Sequence, residues 1–345
     1  MIRFECDYTE GAAPQLLQRI VDTNFEQTPG YSEDCYCDSA REKIRAACGD
    51  ADAAVHFLVG GTQTNTTLLS AALRPHQGAV CATGGHISIH EAGAIESTGH
   101  KVLVSPSPDG KLTAEALDEL CRAHWDDPTF EHMVQPGLAY ISQPTENGLL
   151  YSKEELTALR RVCDKWELFL YVDGARLGYA LAAEENDLTL PELYRLTDAF
   201  YIGGTKVGAL FGEALVIRND TLRRDFRYLI KQRGGLFAKG RLLGLQFEAL
   251  FTDGLYERLG RHAVTQALRI RDAFRARGCA FRYPSPTNQQ FPILSDAQAA
   301  QLGERFAFSP WERVDETHCA VRFCTSWATR TEDVDALVAA IAALP

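Results

Sequence analysis

From about residue 50 to residue 250, short β-branched or aromatic runs alternate with longer amphipathic segments. No other feature narrows the possible folds of this chain as much, because the alternation builds a sheet covered on both faces by helices. Strands are expected at Val55–Val59, Ala79–Ala82, Lys101–Ser105, Gly137–Ser142, Leu168–Val172, Ala199–Gly203 and Ala214–Ile217. Lys153–Trp166 has helical spacing and composition. Past Phe251 the texture changes to an Arg-rich amphipathic helix, Leu259–Arg277. Three short strand candidates follow at Cys279–Tyr283, Gln290–Leu294 and Ala320–Cys324, then a helix near Thr331–Leu344. The expected architecture is α/β: a large domain with a mainly parallel sheet over residues 1–250, and a smaller α+β domain over 251–345.

Charge and cysteine content restrict function. The 345 residues carry a formal net charge of -11, which opposes general affinity for nucleic acid, since that affinity rests on phosphate neutralisation. No run approaches the roughly 18 apolar residues of a membrane span, and the start, MIRFECDYTE, has charge where a secretory leader would be apolar. A cytoplasmic protein is expected. Its ten cysteines are scattered and read as free thiols. Cys35 and Cys37 stand as C-x-C with no second pair at zinc spacing, so no metal site is expected.

Three segments carry chemistry, each at the end of an expected strand, where open α/β sheets bind ligands. In His56-Phe-Leu-Val-Gly-Gly-Thr-Gln-Thr-Asn65 an apolar strand enters a turn and then a helix. Gly60 and Gly61 let the backbone approach an anion, Thr62 adds a hydroxyl, and the helix terminus offers free N–H groups. Read alone, the segment fits a phosphate cradle or an ordinary turn. Phe169-Leu-Tyr-Val-Asp173 ends a buried strand in a carboxylate, which either needs a proton-bearing partner or caps the next helix. Ala199-Phe-Tyr-Ile-Gly-Gly-Thr-Lys206 places one lysine in an apolar, Gly-rich run. Desolvation there lowers the amine pKa and favours the neutral nucleophile that condenses with aldehydes.

Taken in order, Asp7-Tyr-Thr-Glu-Gly, Gly30-Tyr-Ser-Glu-Asp, Gly60-Gly-Thr-Gln-Thr-Asn, His86-Ile-Ser-Ile-His-Glu-Ala-Gly, Asp173-Gly-Ala-Arg, Gly204-Thr-Lys and Val321-Arg-Phe resemble the fold type I pyridoxal-phosphate enzymes. Within them the likeness is to the β-eliminating lyase and low-specificity threonine aldolase family, and it covers essentially the whole chain. The resemblance implies pyridoxal 5'-phosphate held by Lys206, with Asp173 facing its ring nitrogen, His86 stacked on the ring, and Gly61 with Thr62 around the phosphate. It implies a small amino acid as substrate, its carboxylate clamped by Arg176 and Arg322, and a homo-oligomer, dimer or tetramer. His90 and Glu91 are further polar candidates near His86, either proton carriers or solvent-facing residues. The basic segment from Arg227 to Arg241 is either a solvated helix face or a region near a neighbouring subunit's phosphate site.

Two positions depart from the family pattern. Aldolases of the family typically read Thr-His-Asn where this chain has Thr145-Glu146-Asn147, so Glu146 becomes the candidate base. Cys6-Asp7 replaces a common Ser-Asp pair. The implied reaction is retro-aldol cleavage of threonine or allo-threonine to glycine and acetaldehyde. The alternatives are β-elimination on another amino acid, or a catalytically silent relative.

Overall fold

The computed structural model describes residues 1–345. Seven strands form the central sheet in the spatial order Ala54–Leu58, Glu213–Ile217, Ala199–Gly203, Phe169–Asp173, Gln135–Ser142, Gln77–Ala82 and Val102–Ser105. Glu213–Ile217 is antiparallel to both its neighbours; the other six strands run in one direction. All seven expected strands are present, shifted by one or two residues at most, and Lys153–Trp166 is a helix with a Ser152/Glu155 capping box.

Alternate residues along each strand enter different hydrophobic clusters, which is why these strands read as nearly continuous apolar runs. Ala139, Ile141, Leu170, Val172, Phe200 and Ile202 face one cluster. Leu138, Tyr140, Tyr171, Ala199 and Tyr201 face the other, against the helix Gly61–Ala72. No helix is long and apolar enough to cross a membrane, and all ten cysteines are unpaired.

The C-terminal part differs more from expectation. Its long helix starts a turn earlier, at Leu255, and runs to Ala276. Cys279–Tyr283 is not a strand: Phe281 makes only an isolated bridge to Pro292. Gln290–Leu294 divides into Gln289–Gln290 and Ile293–Ser295, because Pro292 lacks the N–H that would continue a ladder. His318–Cys324 is the central strand of this sheet, and Ser309–Arg313 pairs along its other side. That edge strand escaped notice because it contains Pro310 and mostly exposed polar residues, without inward apolar alternation.

The chain's first residues pack with this C-terminal part. Ile2–Arg3 pairs in parallel with Phe306–Ala307, and Phe4, wholly buried, joins the cluster of Phe274, Phe306 and Phe323. Phe4→Ala should cost about 3–5 kcal/mol. Urea unfolding of the full chain checks this, and an unchanged midpoint would show that the N-terminal strand contributes nothing to that core.

Candidate active site

Asp173 ends its strand beside Ala199–Gly203, and two glycines let the chain ends beyond the strands touch. A Cβ on Gly174 would lie 1.8 Å from the Tyr201 carbonyl oxygen, and one on Gly203 would lie 2.2 Å from that of Ala175. Gly203 N–H donates to the Gly174 carbonyl at 2.9 Å. This contact brings the Asp173 strand end against the turn Gly204–Lys206.

The Asp173 carboxylate is buried yet fully partnered. Oδ1 accepts from Tyr201 Oη at 2.5 Å and Ala175 N–H at 3.0 Å. Oδ2 accepts from Tyr140 Oη at 2.7 Å and Asn65 Nδ2 at 3.1 Å. Burial pushes its pKa up, but the His86 charge and these hydrogen bonds outweigh it, holding the group below the ordinary carboxylate value. Tyr171, on the strand between those of Tyr140 and Tyr201, donates to Asn65 Oδ1 at 2.8 Å and so fixes which way the amide points. Sequence reasoning missed this tyrosine set and Asn65. The signal was present: three consecutive strands each carry a tyrosine two residues before their last residue, on the face that Asp173 shares.

Asn65 Nδ2 also donates to Glu91 Oε1 at 2.6 Å, and the same oxygen lies 2.7 Å from His86 Nδ1. Glu91 is buried, while His90 is exposed and faces solvent. Burial alone would lower the His86 pKa; its bond to Glu91 and the charge of Asp173 carry it above the usual imidazole value. Gly61 opens the helix Gly61–Ala72, whose N-terminus has no side-chain cap. A Cβ there would stand 2.9 Å from Tyr201 Oη. The turn read as an anion cradle thus abuts the phenol that holds Asp173.

Lys206 follows the strand in a turn, with its Nζ 5.9 Å from the Tyr8 ring centre. Burial, then the Arg176 charge, lowers its pKa, while Asp7, Asp173 and Glu213 oppose the change. Glu146 Oε1 accepts from Ser142 Oγ at 2.7 Å and from the His86 backbone N–H at 3.2 Å. Burial raises the Glu146 pKa above the ordinary value, so the structure sets this residue beside His86 as a carboxyl that holds its proton longer than usual.

The two arginines have separate surroundings. Arg176 donates through Nε and Nη2 to Asp7 at 2.6 and 3.0 Å, so one edge of its fork serves an internal carboxylate. Against the upward push of burial, Arg176 and Lys206 bring the Asp7 pKa down to about 2. Asn288, also missed, donates to Asp7 Oδ2 at 2.9 Å. Arg322 donates through Nη2 to the Glu5 carbonyl at 2.8 Å and through Nη1 to Gln289 Oε1 at 3.2 Å, while its buried Nε has no partner. The basic segment is not one solvated helix face. Helix Phe226–Gln232 ends before Gly234, which adopts a positive φ of 71°, and Arg233 and Arg241 beyond it bond Ser70 Oγ and the Thr23 and Glu26 carbonyls.

The chain has relatives among known proteins. Residues 7–297 match the family described as β-eliminating lyase. A low specificity L-threonine aldolase from a Pseudomonas species is 31% identical over 266 residues, covering 76% of this chain and 75% of that protein. Another from Pseudomonas aeruginosa is 28% identical over 335 residues, covering 96% and 94%. The solved structure of a Leishmania major threonine aldolase superposes with a TM-score of 0.96 at 44% identity, covering 99% of this chain and 98% of that one. A Thermus thermophilus aspartate aminotransferase, 13% identical with a TM-score of 0.72, shares the fold, which is fold type I of the pyridoxal-phosphate enzymes. With a buried, partnered acid and a desolvated lysine at adjacent strand ends, and with these likenesses along its length, the chain belongs to the β-eliminating lyase family.

Proposed function

We propose that this protein is a pyridoxal-phosphate-dependent aldehyde-lyase that cleaves β-hydroxy-α-amino acids, threonine or allo-threonine, into glycine and acetaldehyde. The observation that carries the reading is the buried, four-times hydrogen-bonded Asp173 carboxylate at a strand end packed against the turn that bears Lys206. Their chemistry fits the cofactor. Lys206 would hold it through the amine, Asp173 would keep its ring nitrogen protonated, His86 would lie against the ring, and the uncapped terminus at Gly61 and Thr62 would take the phosphate. Bound pyridoxal phosphate supplies an electron sink for the bond broken next to the substrate's amino group.

The chain's own groups supply the rest. Arg322 meets the substrate carboxylate, and its unpartnered Nε supports this, because a buried donor left without an acceptor is costly. Arg176 supports the same end of the site through Asp7. Glu146 takes the proton of the β-hydroxyl at its carboxylate, with Ser142 and the His86 amide orienting it. Lys206 carries a proton at Nζ. The reading includes a cytoplasmic homo-oligomer, and the nearly full exposure of Phe25 and the exposed rings of Tyr31 and Tyr228 support association.

Incubating the cofactor-loaded protein with threonine should yield glycine and acetaldehyde in equal amounts, and Lys206→Ala should yield neither. A keto acid with ammonia would replace this reading with β-elimination, and no product from any amino acid of a panel would favour a silent relative. Glu146→Gln should lower kcat about 10²–10⁴-fold while leaving cofactor absorbance intact. In the parent enzyme the base is lost as pH falls through the raised Glu146 pKa, so the acid limb of kcat/KM should lie above the ordinary carboxylate range. The Gln variant should lack that limb; an unchanged profile would remove Glu146 from the proton path.

A further inference from the structure

Glu213 is a buried carboxyl that the reaction outlined above does not use. It opens the one strand that runs against the others, and its two oxygens reach the turn carrying Lys206. Oε2 accepts from Gly204 N–H at 3.0 Å, and Oε1 lies 2.8 Å from Thr205 Oγ. Thr205 Oγ in turn accepts from Gly212 N–H at 3.0 Å and lies 3.4 Å from the Gly212 carbonyl oxygen.

The Thr205 hydroxyl therefore has two directions in which to donate. With Glu213 ionised, its hydrogen points to Oε1. With Glu213 protonated, the acid's O–H donates to Thr205 Oγ and the hydroxyl turns toward the Gly212 carbonyl, which it shares with the Gly204 and Thr205 N–H groups at 3.0 and 3.1 Å. Both states close the ring of bonds with the backbone unchanged. A buried carboxyl satisfied in both protonation states thus holds the residue next to the lysine without needing one fixed charge of its own.

We propose that Glu213 is a positioning residue for Lys206, with Thr205 as its hydroxyl rotor: the pair fixes the Gly204–Lys206 turn in both charge states, and the carboxylate charge behind that turn favours the lysine ammonium. Burial raises the Glu213 pKa above the ordinary value, and the Lys206 charge works against that. The other titratable groups around it are Asp173 and the phenols of Tyr171, Tyr201 and Tyr256. The neighbouring strand and the helix Arg241–Leu250 bring the apolar Leu58, Leu243 and Phe247 against Gly212, next to this end of the strand.

This inference rests on Lys206 being the cofactor lysine, and the test separates the two. The full chain, stripped of cofactor with hydroxylamine, is acetylated with acetic anhydride across a pH series, and modification of Lys206 is followed by peptide mass spectrometry. In the parent, the pH of half-maximal reactivity should lie below that of an ordinary lysine. In Glu213→Gln, an isosteric and permanently neutral replacement, it should fall further, by about one pH unit. Thr205→Val should move it the same way by less, and Thr205→Ser should restore the parent value. Superimposable curves for parent and Glu213→Gln, both below ordinary lysine, would overturn the role of Glu213 alone. An ordinary lysine curve in the parent would overturn the Lys206 assignment itself.

Discussion

The site depends on keeping one carboxylate ionised where water is excluded. An unpaired charge at the buried end of a strand would take up a proton or displace the surrounding packing. Asp173 does neither because three side-chain donors and one backbone amide converge on it. The three side-chain donors come from two flanking strands and the helix behind them, so the carboxylate's charge and the register of the sheet are mutually dependent. A slip of one residue in any of these strands would turn its tyrosine to the opposite face.

From this anchor the remaining polar groups follow in order. Asn65 links Asp173 to Glu91, Glu91 orients His86, and the His86 amide reaches Glu146. Each buried polar group is satisfied by a neighbour that is itself held, the condition under which a polar network rigidifies a core. The exceptions stand out for that reason. Of the eight buried side-chain atoms without partners, Glu91 Oε2, Asn288 Oδ1 and Arg322 Nε belong to residues of the proposed site, and others such as Asp34 Oδ2 and Arg160 Nε lie elsewhere.

Much of this was legible in the sequence because the central strands are buried on both faces and so announce themselves as apolar runs. Glycines, a lysine and an acid at the ends of such runs stand out for the same reason. Tyr140, Tyr171, Tyr201 and Asn65 did not, since tyrosine in a strand also reads as core, and only register shows three phenols turned toward one acid and the amide beside it. The pairing of Arg176 with Asp7 was hidden by separation along the chain, which no local pattern spans. The C-terminal sheet was harder because its edge strand contains proline and exposed charges, leaving no alternation to detect.

One feature of the fold ties the two halves of the molecule to a common outcome. The segment beginning at Ile2 is zipped to the C-terminal layer through Phe4, offers the Glu5 carbonyl to Arg322, and within two more residues gives its Asp7 side chain to Arg176 of the central layer. It is a strap of fixed length between the two layers. Any hinge motion between the layers would stretch or slacken it, so the ion pair at its far end would sense how open the molecule is.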